Sequence, residues 1–156
     1  MKRLLIFAFV TAAVLFVSCQ KTPDNAVVDI DPEALYNELS EAYCDDDIEL
    51  VELDRETADL TFGLGGMYSA IYAKASIGAF ADSILVLEAS DPQSAEKIYD
   101  MLKTYCEERT KLFASYALSE VPKLENALIE RAGKNVVFVV SDDIEKAEEI
   151  WNSYKG

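Results

Sequence analysis

The sequence predicts an α+β sandwich of two layers, an antiparallel sheet of about five strands with helices packed on one face. Three observations predict it. Val136-Val137-Phe138-Val139-Val140 is a run of five apolar, mostly β-branched residues, the pattern of a strand buried within a sheet. Met67 to Ser76 and Ser83 to Ala89 are apolar stretches on either side of the turn-like Ile77-Gly78-Ala79, and read as paired strands. After Asp91-Pro92, and again after Asp142-Asp143, apolar residues recur at helical spacing. Strands and helices in blocks, rather than in strict alternation, point to an α+β fold.

The first element is a leader. Met1-Lys2-Arg3 is a short basic start, and Leu4 to Val17 is an uncharged run of 14 residues, too short to span a bilayer and typical of a secretory signal peptide. It ends at Phe16-Val17-Ser18-Cys19, which resembles a bacterial lipobox, with Phe16 where Leu is usual. That resemblance implies cleavage between Ser18 and Cys19 and lipidation of the Cys19 thiol, which would place the protein on the outer face of a bacterial cell membrane. Residues 1–18 are thus the signal, 19–30 the lipidated cysteine and a polar tether, and 31–156 a single domain. Two or more acyl chains suffice for stable anchoring.

Within the domain, Asp31-Pro32-Glu33 is a helix start, and Leu35, Leu39 and Ala42 share one face, giving a helix over about 32–43. Ile48 to Leu53 reads as a short strand and Glu56 to Leu60 as a helical turn, broken by Gly63, Gly65 and Gly66. The hairpin over 67–89 follows, although the Ala-rich run 70–81 also suits a helix. The longest helix starts at Asp91-Pro92, carries Ala95, Ile98, Leu102, Tyr105 and Cys106 on one stripe, and continues to about Tyr116. Glu120 to Leu128 is a further helical stretch. Gly133-Lys134 closes a tight hairpin between 127–131 and 135–141. Asp142-Asp143-Ile144-Glu145 is an N-cap box for the last helix, whose inward face is Ile144, Ala147, Ile150, Trp151 and Tyr154.

An offset of 52 residues aligns Ile84 to Asp91 with Val136 to Asp143, and Ala95 to Tyr99 with Ala147 to Trp151. One reading is a duplicated ββα unit with a pseudo-twofold groove between copies. The other is that strand–Ser/Asp–helix junctions look alike because capping chemistry is generic.

Composition excludes more than it assigns. The 156 residues hold 14 Lys+Arg, 29 Asp+Glu and no histidine. Lys2 and Arg3 leave with the leader, so 12 basic residues then face the same 29 acids. Nucleic acid is not a partner for such a chain, because phosphate binding depends on Lys and Arg. Without histidine there is no Ser–His or Cys–His pair, no His-ligated zinc and no imidazole proton shuttle. Cys44 and Cys106 could form a disulfide after export or remain two small buried thiols. The acidic stretches Asp29 to Glu33 and Asp45-Asp46-Asp47 lack the glycine and spacing of a calcium loop. Gly63-Leu64-Gly65-Gly66 follows a helical turn and precedes a strand, the reverse of a phosphate loop. No pair of carboxylates stands out for glycoside hydrolysis. Among eight tyrosines, Tyr99, Tyr105 and Tyr154 fall on apolar stripes, which leaves Tyr68, Tyr72 and Tyr116 as the ligand-facing candidates.

Ser83 to Ile98, Arg109, Tyr116, Glu120, Leu124, Ala127, Gly133-Lys134-Asn135 and Val139 to Asp142 together resemble an uncharacterised family of Gram-positive, clostridial-type extracytoplasmic lipoproteins, domain of unknown function 4358. The resemblance spans about 33–155. It departs at Leu118, where a proline is expected, with Pro122 following instead. It implies location and fold and carries over no catalytic residue. The expectation is therefore a lipid-anchored extracytoplasmic binding or interaction module, without enzymatic activity, metal or cofactor. Its partners would be the membrane, through acylated Cys19, and another envelope protein or a small ligand. The alternative is a small carboxylate-dependent hydrolase of envelope polymers, or an accessory subunit of one.

Overall fold

A computed structural model describes residues 29–44 and 48–155. The signal peptide, Ser18, Cys19 and the acidic triplet Asp45 to Asp47 lie outside the described residues. Helix α1 (Pro32–Ala42) starts as the sequence requires: the Asp31 carboxylate accepts the amides of Glu33 and Ala34, with Pro32 in the first turn. Strand β1 (Leu50–Leu53) is shorter than expected, and α2 (Arg55–Phe62) is longer than a single turn because Asp54 caps it and Gly63 ends it at φ +69°. Then come β2 (Tyr68–Ser76), β3 (Ser83–Ala89) and the 22-residue α3 (Pro92–Phe113), capped by Asp91 through the Ser94 amide at 2.8 Å. The expected helical stretch over 120–128 is a 3-10 turn, Leu118–Glu120, followed by the short α4 (Val121–Glu125). Strands β4 (Leu128–Ala132) and β5 (Asn135–Val140) form the hairpin around Gly133-Lys134, and α5 (Ile144–Lys155) closes the fold. Gly133 takes φ +58° while Lys134 does not take positive φ, the pattern of a type II′ turn.

The sheet is wholly antiparallel, in the order β1-β2-β3-β5-β4. The expected α+β sandwich on a five-stranded antiparallel sheet is what the chain forms. The helices, however, cover both faces instead of one, so there are three layers. On β3 and β5 alternate side chains belong to different cores: Leu85, Leu87, Val136, Phe138 and Val140 pack with Ile98, Leu102 and Phe113 of α3, with Phe62 and with Leu124. Ile84, Val86, Val137 and Val139 pack on the opposite side with Leu35 and Leu39 of α1 and with Ala147 and Trp151 of α5. A strand apolar at every position leaves two faces to be removed from water, and one layer of helices cannot cover both.

The same division settles the repeat. Both halves read hairpin then helix, but α3 and α5 lie on opposite faces. Residues 52 apart on β3 and β5, such as Ile84 and Val136, also point to opposite cores. A twofold axis relating neighbouring antiparallel strands preserves faces, so no pseudo-twofold groove exists between the units. The likeness is that of generic strand-to-helix junctions.

Candidate functional site

At the end of the sheet where β3 begins and β5 finishes, Ser83 stands opposite Val140, which brings Asp82 next to Ser141 and Asp142. Helix α4 adds Lys123, and the turn before it adds Glu120. Lys123 Nζ lies 2.9 Å from Asp82 Oδ2, 3.0 Å from Asp142 Oδ2 and 3.2 Å from Glu120 Oε2. Lys123, Asp82 and Glu120 are buried, whereas the Asp142 side chain is exposed. Glu120 also accepts the Ala81 amide at 3.0 Å. Burial pushes the Asp82 carboxyl above its ordinary value, against the pull of Lys123. Burial also works against the Lys123 ammonium, but its hydrogen bonds to Asp82, Asp142 and Glu120 outweigh this and hold it above the usual lysine range. A lysine held charged is neither a base nor an amine nucleophile. The cluster is instead a clamp, fixing the 118–125 segment to the ends of two central strands.

Beside this clamp is an apolar end. Ile77 and Leu118 are each 71% exposed, and Phe80, Leu112 and Tyr116 are about half exposed. The Ala81–Glu120 bond joins the loop carrying Ile77 and Phe80 to the turn carrying Leu118, and the Tyr116 ring rests 5.0 Å from that of Phe113. Single exposed apolar residues are ordinary, but Ile77 and Phe80 on one loop, Tyr116 and Leu118 on the turn bonded to it and Leu112 in the last turn of α3 are not.

The three candidate tyrosines do not share a groove. Tyr68 is buried, contrary to its expected exposure: the Arg55 guanidinium sits 4.7 Å above its ring and donates to the Tyr68 and Ser69 carbonyls. Burial, and then the Asp59 charge, raise its hydroxyl pKa. Tyr72 is half-buried on the other face of the sheet, stacked 5.6 Å from Tyr36, with its hydroxyl directed to Glu33. Only Tyr116 stands in the open, at the apolar end. A disulfide between the two remaining cysteines is ruled out as well: Cys44 is exposed at the end of α1, Cys106 is buried on α3, and the sheet separates them. Burial raises the Cys106 thiol to about 11.

Two hollows flank α3. One, of about 550 Å³, lies between α3, α4 and β4, with Tyr99, Leu124, Ala127 and Ile129 as its apolar lining and Lys103, Glu107, Lys111 and Glu125 at its rim. The other, of about 410 Å³, lies against α2 and is lined by Leu60, Phe62, Met101 and Tyr105 with Asp100 and Glu108. Among the described residues no group of three or more acidic or cysteine side chains is placed to hold a metal ion, and no helix is long and apolar enough to cross a membrane.

A family model described as a domain of unknown function, DUF4358, matches residues 44–141, and the chain belongs to that family. The match takes in all five strands together with α2, α3 and α4, and leaves out α1 and α5. No curated protein and no solved structure matches the chain.

Proposed function

We propose that this DUF4358 domain is a binding module, held at the outer face of a bacterial membrane by lipid on Cys19, that grips a protein partner through its apolar end. The observation that carries the reading is the gathering of Ile77, Phe80, Leu112, Tyr116 and Leu118 in a chain of net charge −15. An apolar centre in an acidic surface suits a partner with an apolar contact and a basic rim. Its position fits the anchor. The C-terminal end of α1 adjoins Asp143, through Tyr43 and Lys146, and so lies at the clamp end of the sheet. The chain enters at the other end of α1, so a tether attached there leaves the apolar end turned outward. The hydrolase alternative has less to stand on, because the acids that converge on Lys123 are tied to it.

The test is a photo-crosslinking residue placed at Phe80 in cells that make the protein, compared with one at exposed Gln93 on α3. A discrete adduct from position 80 alone, lost when Leu118 is also changed to Ser, is the expected result. Equal labelling from both positions would overturn the reading, as would turnover of cell-wall fragments by the soluble domain.

A further inference from the structure

The open edge of β4 and the hollow beside it form a second site, distinct from the apolar end. We infer that it binds an extended peptide segment of a partner, added as a sixth strand, with apolar side chains at alternate positions and an acidic residue beside them.

The ladder fixes which groups are free. The Ala89 amide donates to the Lys134 carbonyl, so even-numbered residues of β5 bond towards β3 and odd-numbered ones towards β4. In β4 the partners of the odd residues are Leu128, Glu130 and Ala132. The N–H and C=O groups of Ile129 and Arg131 therefore face outward, and among the described residues no other backbone bonds to them. Four main-chain groups at strand spacing are complementary to one thing, another extended chain.

The hollow supplies the rest. Ile129 lines it together with Ala127, Leu124 and Tyr99, so alternate side chains of an added strand would meet an apolar floor of about 550 Å³. Lys74, Lys123, Lys134, Lys146 and Lys155 are all paired with carboxylates. Among the described residues Lys103 and Lys111 at the hollow's rim have no carboxylate within ion-pair distance, nor does Arg131, on the same strand face as Ile129; the same holds of Arg55, Lys97 and Arg109 elsewhere. Lys103 rests over the Tyr99 ring. Glu107 and Glu125 also line the hollow and offset Lys103 and Lys111, so Arg131 on the adjoining strand supplies the one positive charge left over, in a molecule of charge −15. The other sheet edge, β1, has only four residues, carries Glu52 and adjoins no comparable hollow. Edge strands without a partner are commonly blunted. Here the edge is short, but it opens onto an apolar-floored groove and carries Arg131 beside it.

The probe is a seven-residue peptide alternating valine and threonine, with glutamate at each end, titrated into the domain from Gln20 onward and followed by amide NMR. Saturable shifts and slowed exchange at Ile129 and Arg131 are expected, with weaker binding of the lysine-ended peptide. Proline at 131 removes an outward N–H but no ladder bond, so Arg131→Pro should keep the melting temperature and lose roughly five- to tenfold in affinity, the worth of one hydrogen bond. Arg131→Ala, which keeps that N–H, should lose less. N-methylation of the peptide at its inward-facing amides should abolish binding whatever the protein variant. Protection elsewhere, equal binding by Arg131→Pro, or β4 occupied by a second copy of the chain in place of peptide would each overturn the inference. None of these outcomes bears on crosslinking at Phe80, so the two proposals fail separately.

Discussion

Lys123 Nζ stands 2.9 Å from Oδ2 of Asp82, 41 residues away in the chain, and both side chains are buried. Removing one member of a buried pair leaves its partner charged and unsolvated, which costs far more than the net worth of the pair. Lys123→Met should therefore lower stability by about 3–5 kcal/mol in urea melts. Adding Asp82→Asn should restore part of the loss, because it removes the stranded charge. A loss below about 1 kcal/mol would show that the cluster is solvated, as surface pairs are.

Phe138 is fully buried, with Phe62 at 5.6 Å and Tyr105 at 5.9 Å presenting their edges and faces to it. It is the largest side chain that β5 gives to the α3 core. Phe138→Ala should cost about 3–5 kcal/mol by leaving a cavity, measured by the same melts.

Much of this fold is legible in the sequence. Asp31-Pro32 and Asp91-Pro92 mark helix starts that the chain uses, Gly133-Lys134 marks the turn, and Val136 to Val140 marks a strand inside the sheet, buried on both faces. These are local signals, each made by residues in contact with their own neighbours. Which face of the sheet a helix covers is not local. The stripes of α1, α3 and α5 show that each buries one side, but say nothing of which layer receives it. The clue was in β3, where Ile84 to Leu87 are as unbroken an apolar run as that of β5. The clamp was not legible either. Lys123, Glu120 and Asp142 read as ordinary surface charges until the paired ends of β3 and β5 bring them together. Tyr68 looks exposed by its spacing but joins the core on the α3 face, and Arg55, 13 residues earlier, folds over its ring.

The cysteines differ in a way that is measured directly. In the folded domain from Gln20 onward, iodoacetamide at pH 8 should modify exposed Cys44 and leave buried Cys106, whose thiol burial holds at about 11. One adduct by intact mass is expected before unfolding, and two after it. Rapid double labelling of the native protein would contradict the buried position of Cys106.

Acid sensitivity follows from the helix caps. The Asp54 and Asp91 carboxylates accept the amides of Thr57 and Ser94, which holds their pKa values below the ordinary 3.8. A carboxylate with a depressed native pKa stabilises the fold above its unfolded value, and this stability is lost as pH falls through the native one. Asp82, raised by burial, acts in the opposite sense: its contribution is complete below 3.8 and is lost as pH rises through its native value. Urea midpoints should therefore fall below about pH 4, and Asp91→Asn should flatten that fall. An unchanged slope in the variant would show that the cap is not ionised as described.

If lipid on Cys19 holds this domain at a membrane, as proposed, the N-terminus of the mature protein carries the mark of it. The protein would be extracted with detergent from the membranes of cells that make it, and its first peptide weighed. The expected chain begins at Cys19, with a diacylglycerol thioether on that residue, and Cys19→Ala should leave an uncleaved precursor lacking lipid. A native chain that starts elsewhere, or starts at Cys19 with a free thiol, would contradict the anchoring.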